Sequence, residues 1–578
     1  MGSIDWSSIW QFFTYDPSQP LLFNSARFFI FFLVAYGFFL LLRKRTFART
    51  AYLFLFSVYF YYLSSGVYFW LLLLSTVVNF GLGHLLEIRE EPWRRKLWMT
   101  VSVLFNLGIL AYFKYTNFFI DTANQLTGNA WDFQRIFLPV GISFYTFQVL
   151  SYTIDIYRRK IQSLSAGLES WQAGGRALID FAFFVSFFPQ LVAGPIVRAA
   201  DFLPQIRQPL SLSREQMGQA FLLIIGGLFK KAVISDYISV NFVDRVFDNP
   251  GLYSGLENLL ASYGYAIQIY CDFSGYSDMA IGLALLMGFQ LPENFRTPYQ
   301  SDSIQGFWRR WHISLSSWLR DYLYISLGGN RKGSFRTYIN LMITMLLGGL
   351  WHGASWVFVI WGGLHGMALA IDRFLSNKKG WWQKTIVRIG GVWLLVLFII
   401  QAVLYWRWSG DQIDVYTYQQ MSGANRNLFF IWLGSMLLAL LGDYFLRALS
   451  GKDGQRWSRS ISVLLVFHFV CLCWIFFRSG AAANTLSPTE ITYAMLGQIG
   501  SGLNWELAGE IVRGYSAVVG LIALGFLLHF LPRKWDLGVE RLFVRMPSVA
   551  QAFVLFLVIW IVIQTASAEV VPFIYFQF

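Results

Sequence analysis

The chain reads as an all-α, polytopic membrane protein, and three observations lead there. Of its 578 residues, 56% are hydrophobic and only 13% are charged, about half the charge of a soluble domain. The apolar residues gather into long runs at 28–42, 67–82, 386–404, 428–441 and 553–563, each able to supply much of a span of ~20 residues. Between the runs sit short basic patches: Arg43-Lys44-Arg45, Arg94-Arg95-Lys96, Arg158-Arg159-Lys160, Lys230-Lys231, Arg331-Lys332, Lys378-Lys379 and Arg533-Lys534. That is the pattern of cytoplasmic loops under the positive-inside rule. A secreted enzyme, a DNA-binding protein and a disordered scaffold are excluded. The net charge of +13 belongs to loops beside membrane lipids, and no nucleic acid is expected.

The segments follow in order. The first twenty residues hold Asp5, Asp16 and two prolines without a basic start, so they predict an aromatic interfacial stretch and no cleavable signal peptide. Plain spans are expected near 26–43, 51–65, 67–86 and 97–115. Between about 138 and 366 the apolar stretches are broken by Gly, Pro, Asp, His and Arg. Such backbone is tolerated at membrane depth only where protein or a water-filled cavity surrounds it. This third is read as the working core, with 186–205 (SFFPQLVAGPIVRAADFLPQ) as re-entrant backbone. Plain spans return near 386–406, 428–447, 460–477, 515–532 and 550–568. No repeat or low-complexity linker divides the chain, so one integral domain is expected over 1–578, with its catalytic core at about 138–366 and a tail at 569–578. The loop 533–545 carries Arg533, Lys534, Arg541 and Arg545, whereas 480–512 has no Lys or Arg. The tail is therefore expected on the extracytoplasmic side.

Chemistry concentrates in few residues. Cys271, Cys471 and Cys473 have neither metal-type spacing nor a disulfide framework. His84, His468 and His529 stand singly in apolar helices and read as packing or interfacial groups. His352 lies in LLGGLWHGASWVFVIWGGLHG (346–366), where Gly348, Gly349 and Gly353 clear space and Trp351 and Trp356 offer walls. Such an imidazole suits a general base; glycine-mediated helix packing explains the pattern equally well. His312 lies forty positions earlier in WRRWHISLSSWLRDYLY (308–324). There Trp311, Leu315, Trp318 and Tyr322 share a helical face, and Arg309, Arg310 and Arg320 supply cations for a phosphate-bearing donor or for headgroups; on its own residues the segment reads as a snorkelling interfacial helix. In CDFSGYSDMAIG (271–282), Asp272, Ser274, Ser277 and Asp278 read as caps at the start of an apolar helix. There is no His-x4-Asp pair, G-x-S-x-G elbow, H-E-x-x-H or Walker loop, so neither ATP hydrolysis nor zinc chemistry is supported and no metal is expected.

Taken together, the 186–205 segment, YCDFSGYSDMAIG, FWRRWHISLSSWLRDYLYISLGGNRKG and LLGGLWHGASW resemble the membrane-bound O-acyltransferase superfamily. The similarity is greatest to its bacterial branch of polysaccharide O-acetyltransferase membrane subunits. The resemblance implies a ring of transmembrane and re-entrant helices around a central funnel in the bacterial cytoplasmic membrane. It implies His352 as the catalytic residue, His312 as its polar companion, and acetyl-CoA or a related acyl thioester as a cytoplasmic donor. Arg309-Arg310 or Arg331-Lys332 would then meet the donor's phosphates, and His365 would be structural. It further implies a polysaccharide acceptor outside the membrane and an extracytoplasmic partner transferase of esterase fold. A lipid- or protein-directed O-acyltransferase and a non-enzymatic transporter are the alternatives.

The tail VPFIYFQF (571–578) places Phe573, Tyr575 and Gln577 on one side of an extended segment. Its aromatics suit an interfacial anchor. It also resembles the F-I-Y-F-x-F ending of the small membrane peptide of the D-alanylation system, and that resemblance makes Tyr575 an acyl relay whose hydroxyl carries the acyl group to the partner.

Overall fold

Local signals set the first helices. Ser25 accepts a hydrogen bond from the Phe28 amide and starts the helix Ala26–Leu42, and Pro92 opens the helix Pro92–Leu110, a position where its missing N–H costs nothing. Between them run Thr46–Ser65 and Phe69–Ile88. The computed structural model describes residues 12–565 except 18, 169, 192–193, 377–384, 411–413, 451–453 and 482–485. The expected tail at 569–578, with Tyr575, lies outside them. Among the described residues every regular element is helical, as the sequence predicts for a multi-pass membrane protein.

The outward faces of the first helices are apolar and uncovered; Leu41 is 78% exposed and Leu55 65%. A surface of that kind is stable only against lipid. Their inward faces are polar. Asn79 and Asn106 exchange side-chain hydrogen bonds of 2.9 and 2.7 Å, and Ser102 bonds Thr153 at 3.0 Å, joining three helices with groups that hydrocarbon cannot satisfy.

The central third departs from plain spans only in part, since Arg214–Asp248 lies within it and Trp356–Ser376 overlaps it, and both are long and apolar enough to cross a membrane. Ile142–Tyr157 is buried almost along its whole length. The 186–205 stretch breaks into the short helices Phe188–Leu191 and Ala199–Ile206 after Trp171–Ser186 ends. Five described helical stretches are long and apolar enough to cross a membrane, or six if the pair Trp505–Gly514 and Ser516–Phe530, bent by 95°, counts as one span. The 32-residue helix Gly255–Leu286 is not among them, because it carries buried Asp272, Ser274, Ser277 and Gln268. Interior helices need not be greasy when protein surrounds them.

Two local readings are corrected here. Asp272 and Asp278 do not cap a helix start; they sit inside Gly255–Leu286, which begins at a Ser254–Glu257 capping box. Lys230 and Lys231 are not in a loop; they lie in a π-helical turn, Phe229–Ser235, that continues the helix Arg214–Leu228. These helices touch through glycine: a Cβ on Gly227 would meet the Gly275 carbonyl oxygen at 2.5 Å. The close approach brings Lys230 onto Asp278 and buries Lys231 between Asp272 at 2.6 Å and Asp236 at 2.8 Å. Local sequence pointed to caps and a loop because Asp272 and Asp278 lie more than forty residues from the lysines they pair with.

The helix Gly333–His352 folds back on Trp356–Ser376. Gly349 and Gly362 make this possible, since a Cβ on either would fall within 2.3 Å of the opposite backbone. His352 is the last helical residue before the turn.

Candidate active site

The site grows from that turn. Gly353 adopts an extended backbone that ends the helix, and any Cβ there would strike the Phe358 ring at 2.1 Å. His352 is 2% exposed. Trp351, Trp361 and Phe477 present edges or faces to its imidazole at centroid distances of 5.1, 5.0 and 5.3 Å. Water is largely kept out, which strengthens any electrostatic contact made inside.

His312 also packs near Trp351, its ring centroid 6.3 Å from the indole. It caps the short helix Ile313–Trp318 with a left-handed backbone, φ 43°, a conformation that costs a non-glycine residue roughly 1–2 kcal/mol. Asn294 holds it there. The Asn294 Oδ1 accepts from the Ser314 amide at 3.3 Å and the Ser314 hydroxyl at 2.9 Å, and lies 3.1 Å from His312 Nδ1. A backbone amide only donates, so the atom facing it is the amide oxygen. His312 must then carry its proton on Nδ1 to bond it, leaving Nε2 as the acceptor in the neutral ring. His365 packs beyond Trp361 at 4.9 Å, stacked on Phe307 at 6.0 Å, and is fully buried. The structure thus gathers His312, His352 and His365 around Trp351 and Trp361.

A column of rings leads away from His352. Trp351 stacks on Phe147 at 5.3 Å, Phe147 on Trp318 at 3.8 Å, and Trp318 meets Tyr322 at 5.1 Å. Trp318 Nε1 donates to the Phe147 carbonyl at 3.0 Å, and the Tyr322 hydroxyl donates to Asp155 at 2.7 Å. Three cations converge on the Tyr322 ring: Arg158, Arg198 and Lys160, at 5.5, 5.4 and 5.9 Å. Beside them opens a cavity of about 550 Å³ lined by Arg158, Lys160, Asp321, Ile325 and Arg331. Asp321 lies outside the spanning helices. Burial pushes its carboxyl up, but Arg320 and Arg198 outweigh that and hold it below the usual range; Arg198 bonds it at 2.7 Å.

Arg309 is exposed and Arg310 half-buried, and neither lines that cavity. Sequence reasoning missed Asn294, Asp155 and Lys114 in this neighbourhood. A lone lysine inside an apolar stretch is a usable signal; Asn294 and Asp155 offered none without the fold. Among the described residues no group of three or more His, Cys, Asp or Glu side chains is arranged to hold a metal.

A sequence model of the membrane-bound O-acyltransferase family matches residues 123–405. The peptidoglycan O-acetyltransferase of Helicobacter pylori is 36% identical over 425 residues, covering 70% of this chain and 80% of that protein. The chain belongs to the membrane-bound O-acyltransferase family. Membership makes it an O-acyltransferase. The probable alginate O-acetylase of Pseudomonas putida is 46% identical over 293 residues, 50% of this chain and 57% of that protein. The teichoic acid D-alanyltransferase of Bacillus subtilis is 32% identical over 219 residues, 35% of this chain and 53% of that protein. For these last two, this acyltransferase matches little more than half of the relative's length. His312 and His352 both fall inside the family match.

Proposed function

We propose that this acyltransferase takes an acetyl group from acetyl-CoA, or a related acyl thioester, on the cytoplasmic side of the bacterial inner membrane and delivers it for O-acylation of an extracytoplasmic polysaccharide. The observation that carries the reading is the pair His312 and His352, both packed against one indole and both buried in an aromatic enclosure. His352 is the base. It takes the proton of the acceptor hydroxyl as that oxygen attacks the thioester carbon; an ester forms, the carbon–sulfur bond breaks, and the imidazolium returns the proton to the departing thiolate. His312, whose Nε2 accepts, takes a hydrogen bond from the acceptor hydroxyl and orients it toward the thioester. The first acceptor is the phenol of Tyr575 in the extracytoplasmic tail, and its ester is then passed to a polymer hydroxyl by an esterase-fold partner transferase. The alginate and peptidoglycan acetylase names of the relatives support a polysaccharide as final acceptor.

For the donor's phosphates, two sets of cations compete: Arg309 with Arg310, and the group Arg158, Lys160 and Arg331 around the cavity. The cavity is the donor's phosphate site because the ring column runs from beside it to the base. Its four ring-to-ring steps place the imidazole within about 20 Å of Tyr322 however the column bends. A pantetheine arm has thirteen bonds from phosphorus to sulfur, roughly 16 Å at the backbone's three bonds per ~3.6 Å. An attacking hydroxyl between thioester and imidazole takes up the remainder.

Proteoliposomes supplied with radiolabelled acetyl-CoA test the reading. Alkali-labile label on the protein or on an added polysaccharide is expected. Binding or movement of substrate with no covalent product would replace the enzyme by a transporter, and label on lipid alone would redirect the acceptor.

A further inference from the structure

The last carbonyls of any helix have no partner within it, and at membrane depth water is not there to help. For the helix Gly333–His352 this falls on the residues that carry the base. Three successive carbonyls are met by two adjacent side chains of a helix more than 230 positions away. Tyr115 Oη donates to the Leu350 carbonyl at 2.9 Å, and Lys114 Nζ donates to those of Trp351 at 2.7 Å and His352 at 3.0 Å. The same ammonium lies 5.9 Å from the centre of the Trp351 ring. Lys114 and Tyr115 belong to a π-helical turn, Ala111–Tyr115, inserted between Pro92–Leu110 and Thr116–Thr127, an irregularity that re-aims side chains and recurs at functional sites. Further along, Phe118 packs on Trp356 at 5.4 Å and Thr122 accepts from its Nε1 at 3.3 Å. One helix therefore grips both sides of the turn 353–355.

We propose that Lys114, assisted by Tyr115, is a positioning residue for acyl transfer: it clamps the terminus of the His352 helix and so fixes the imidazole and the neighbouring Trp351. A cation is the suitable clamp, because it satisfies two carbonyls at once and complements the negative end of the helix dipole. No intrahelical group can do this, since Gly353 has turned away. The proposal rests on His352 being the base.

The test compares wild type, Lys114→Met, Lys114→Arg, Tyr115→Phe and His352→Ala in proteoliposomes with acetyl-CoA, each normalised to monodisperse protein. Hydrogen exchange over 346–356 is followed alongside. Lys114→Met should lower kcat about 10- to 100-fold, the scale of a misplacement near 1 Å, with donor KM within about twofold and faster exchange in that stretch. Lys114→Arg, which keeps the cation, should recover most of the rate, and Tyr115→Phe should lose a few-fold. A merely structural lysine would cost folded yield while leaving kcat per folded molecule unchanged; that result, or unaltered exchange, overturns the clamp. If Lys114→Met does not fold, arginine and Tyr115→Phe decide by the same split. An inactive His352→Ala beside a fully active Lys114→Met removes the clamp alone. An active His352→Ala removes the base and the clamp together. Wild type inert towards acetyl-CoA removes the donor reading, and exchange still decides the clamp.

Discussion

Replacing Lys231 by methionine should be among the most damaging changes outside the proposed catalytic histidines, although its ion-pair partners are Asp236 and Asp272. Its side chain is fully buried, with Asp272 4% and Asp236 12% exposed beside it. Methionine fills the space of the lysine stem but leaves two carboxylates facing each other without their shared cation. Breaking a buried pair from one side costs roughly 3–5 kcal/mol, or about two to three and a half decades in the folded ratio at 1.4 kcal/mol per tenfold. The adjacent Lys230 is the internal control: with Asp278 it forms a pair whose side chains are 23% and 27% exposed, so Lys230→Met should cost far less, on the order of 1 kcal/mol. Size-exclusion profiles after graded heating in detergent give the ranking. Lys231→Met should lose monodisperse protein at a much lower temperature than Lys230→Met. Adding Asp272→Asn to Lys231→Met should restore part of the loss, because the amide brings no charge to bury. Equal stability of the two lysine variants, or a further additive loss in the double variant, would refute the reasoning.

Other outcomes follow from the site. Tyr575→Phe removes one oxygen and should abolish acetylation of the exported polymer at unchanged protein level; full activity would make the tail an anchor. Arg158→Gln with Arg331→Gln should raise donor KM at least about tenfold, the scale of losing one charge-assisted bond, and leave use of acetyl-pantetheine, which lacks the phosphates, unchanged. Arg309→Gln with Arg310→Gln is the comparison, and a larger effect there would move the donor site. Asn294→Leu removes the acceptor that fixes the His312 tautomer and should lower kcat by about tenfold or more, with donor KM little changed in steady-state assays.

Much of this architecture was legible before the fold was seen. Composition and run length predicted an all-α membrane protein, because lipid demands ~20 apolar residues wherever a helix crosses alone. They did not place every span: Arg214–Asp248 lies in the stretch read as broken, and Ala26–Leu42 is a shorter apolar helix. His352 stood out because glycine and tryptophan clustered around it, although its residues left base and packing group equally open, whereas the His312 segment read on its residues as an interfacial helix and only the family resemblance paired the two. What escaped was pairing at a distance. Asp272 looked like a cap because serines and glycine surround it, and only the touch of Gly227 on Gly275 reveals Lys231 as its counter-ion. Lys114 drew no reading from its apolar stretch, and only the fold brings it to the carbonyls of Trp351 and His352. The basic cavity joins Arg158 and Arg331 from separate segments, and no local pattern announces that.

The central claim is that His352 is the base for acyl transfer, and one measurement bears on it most directly. Purified wild type and His352→Ala are reconstituted at equal monodisperse yield and given radiolabelled acetyl-CoA, and alkali-labile label is counted over time. Loss of general-base assistance predicts a rate lower by roughly 10²–10⁴-fold, with donor binding retained in equilibrium measurements on the same preparation. Label accumulating at the wild-type rate in His352→Ala would contradict the account.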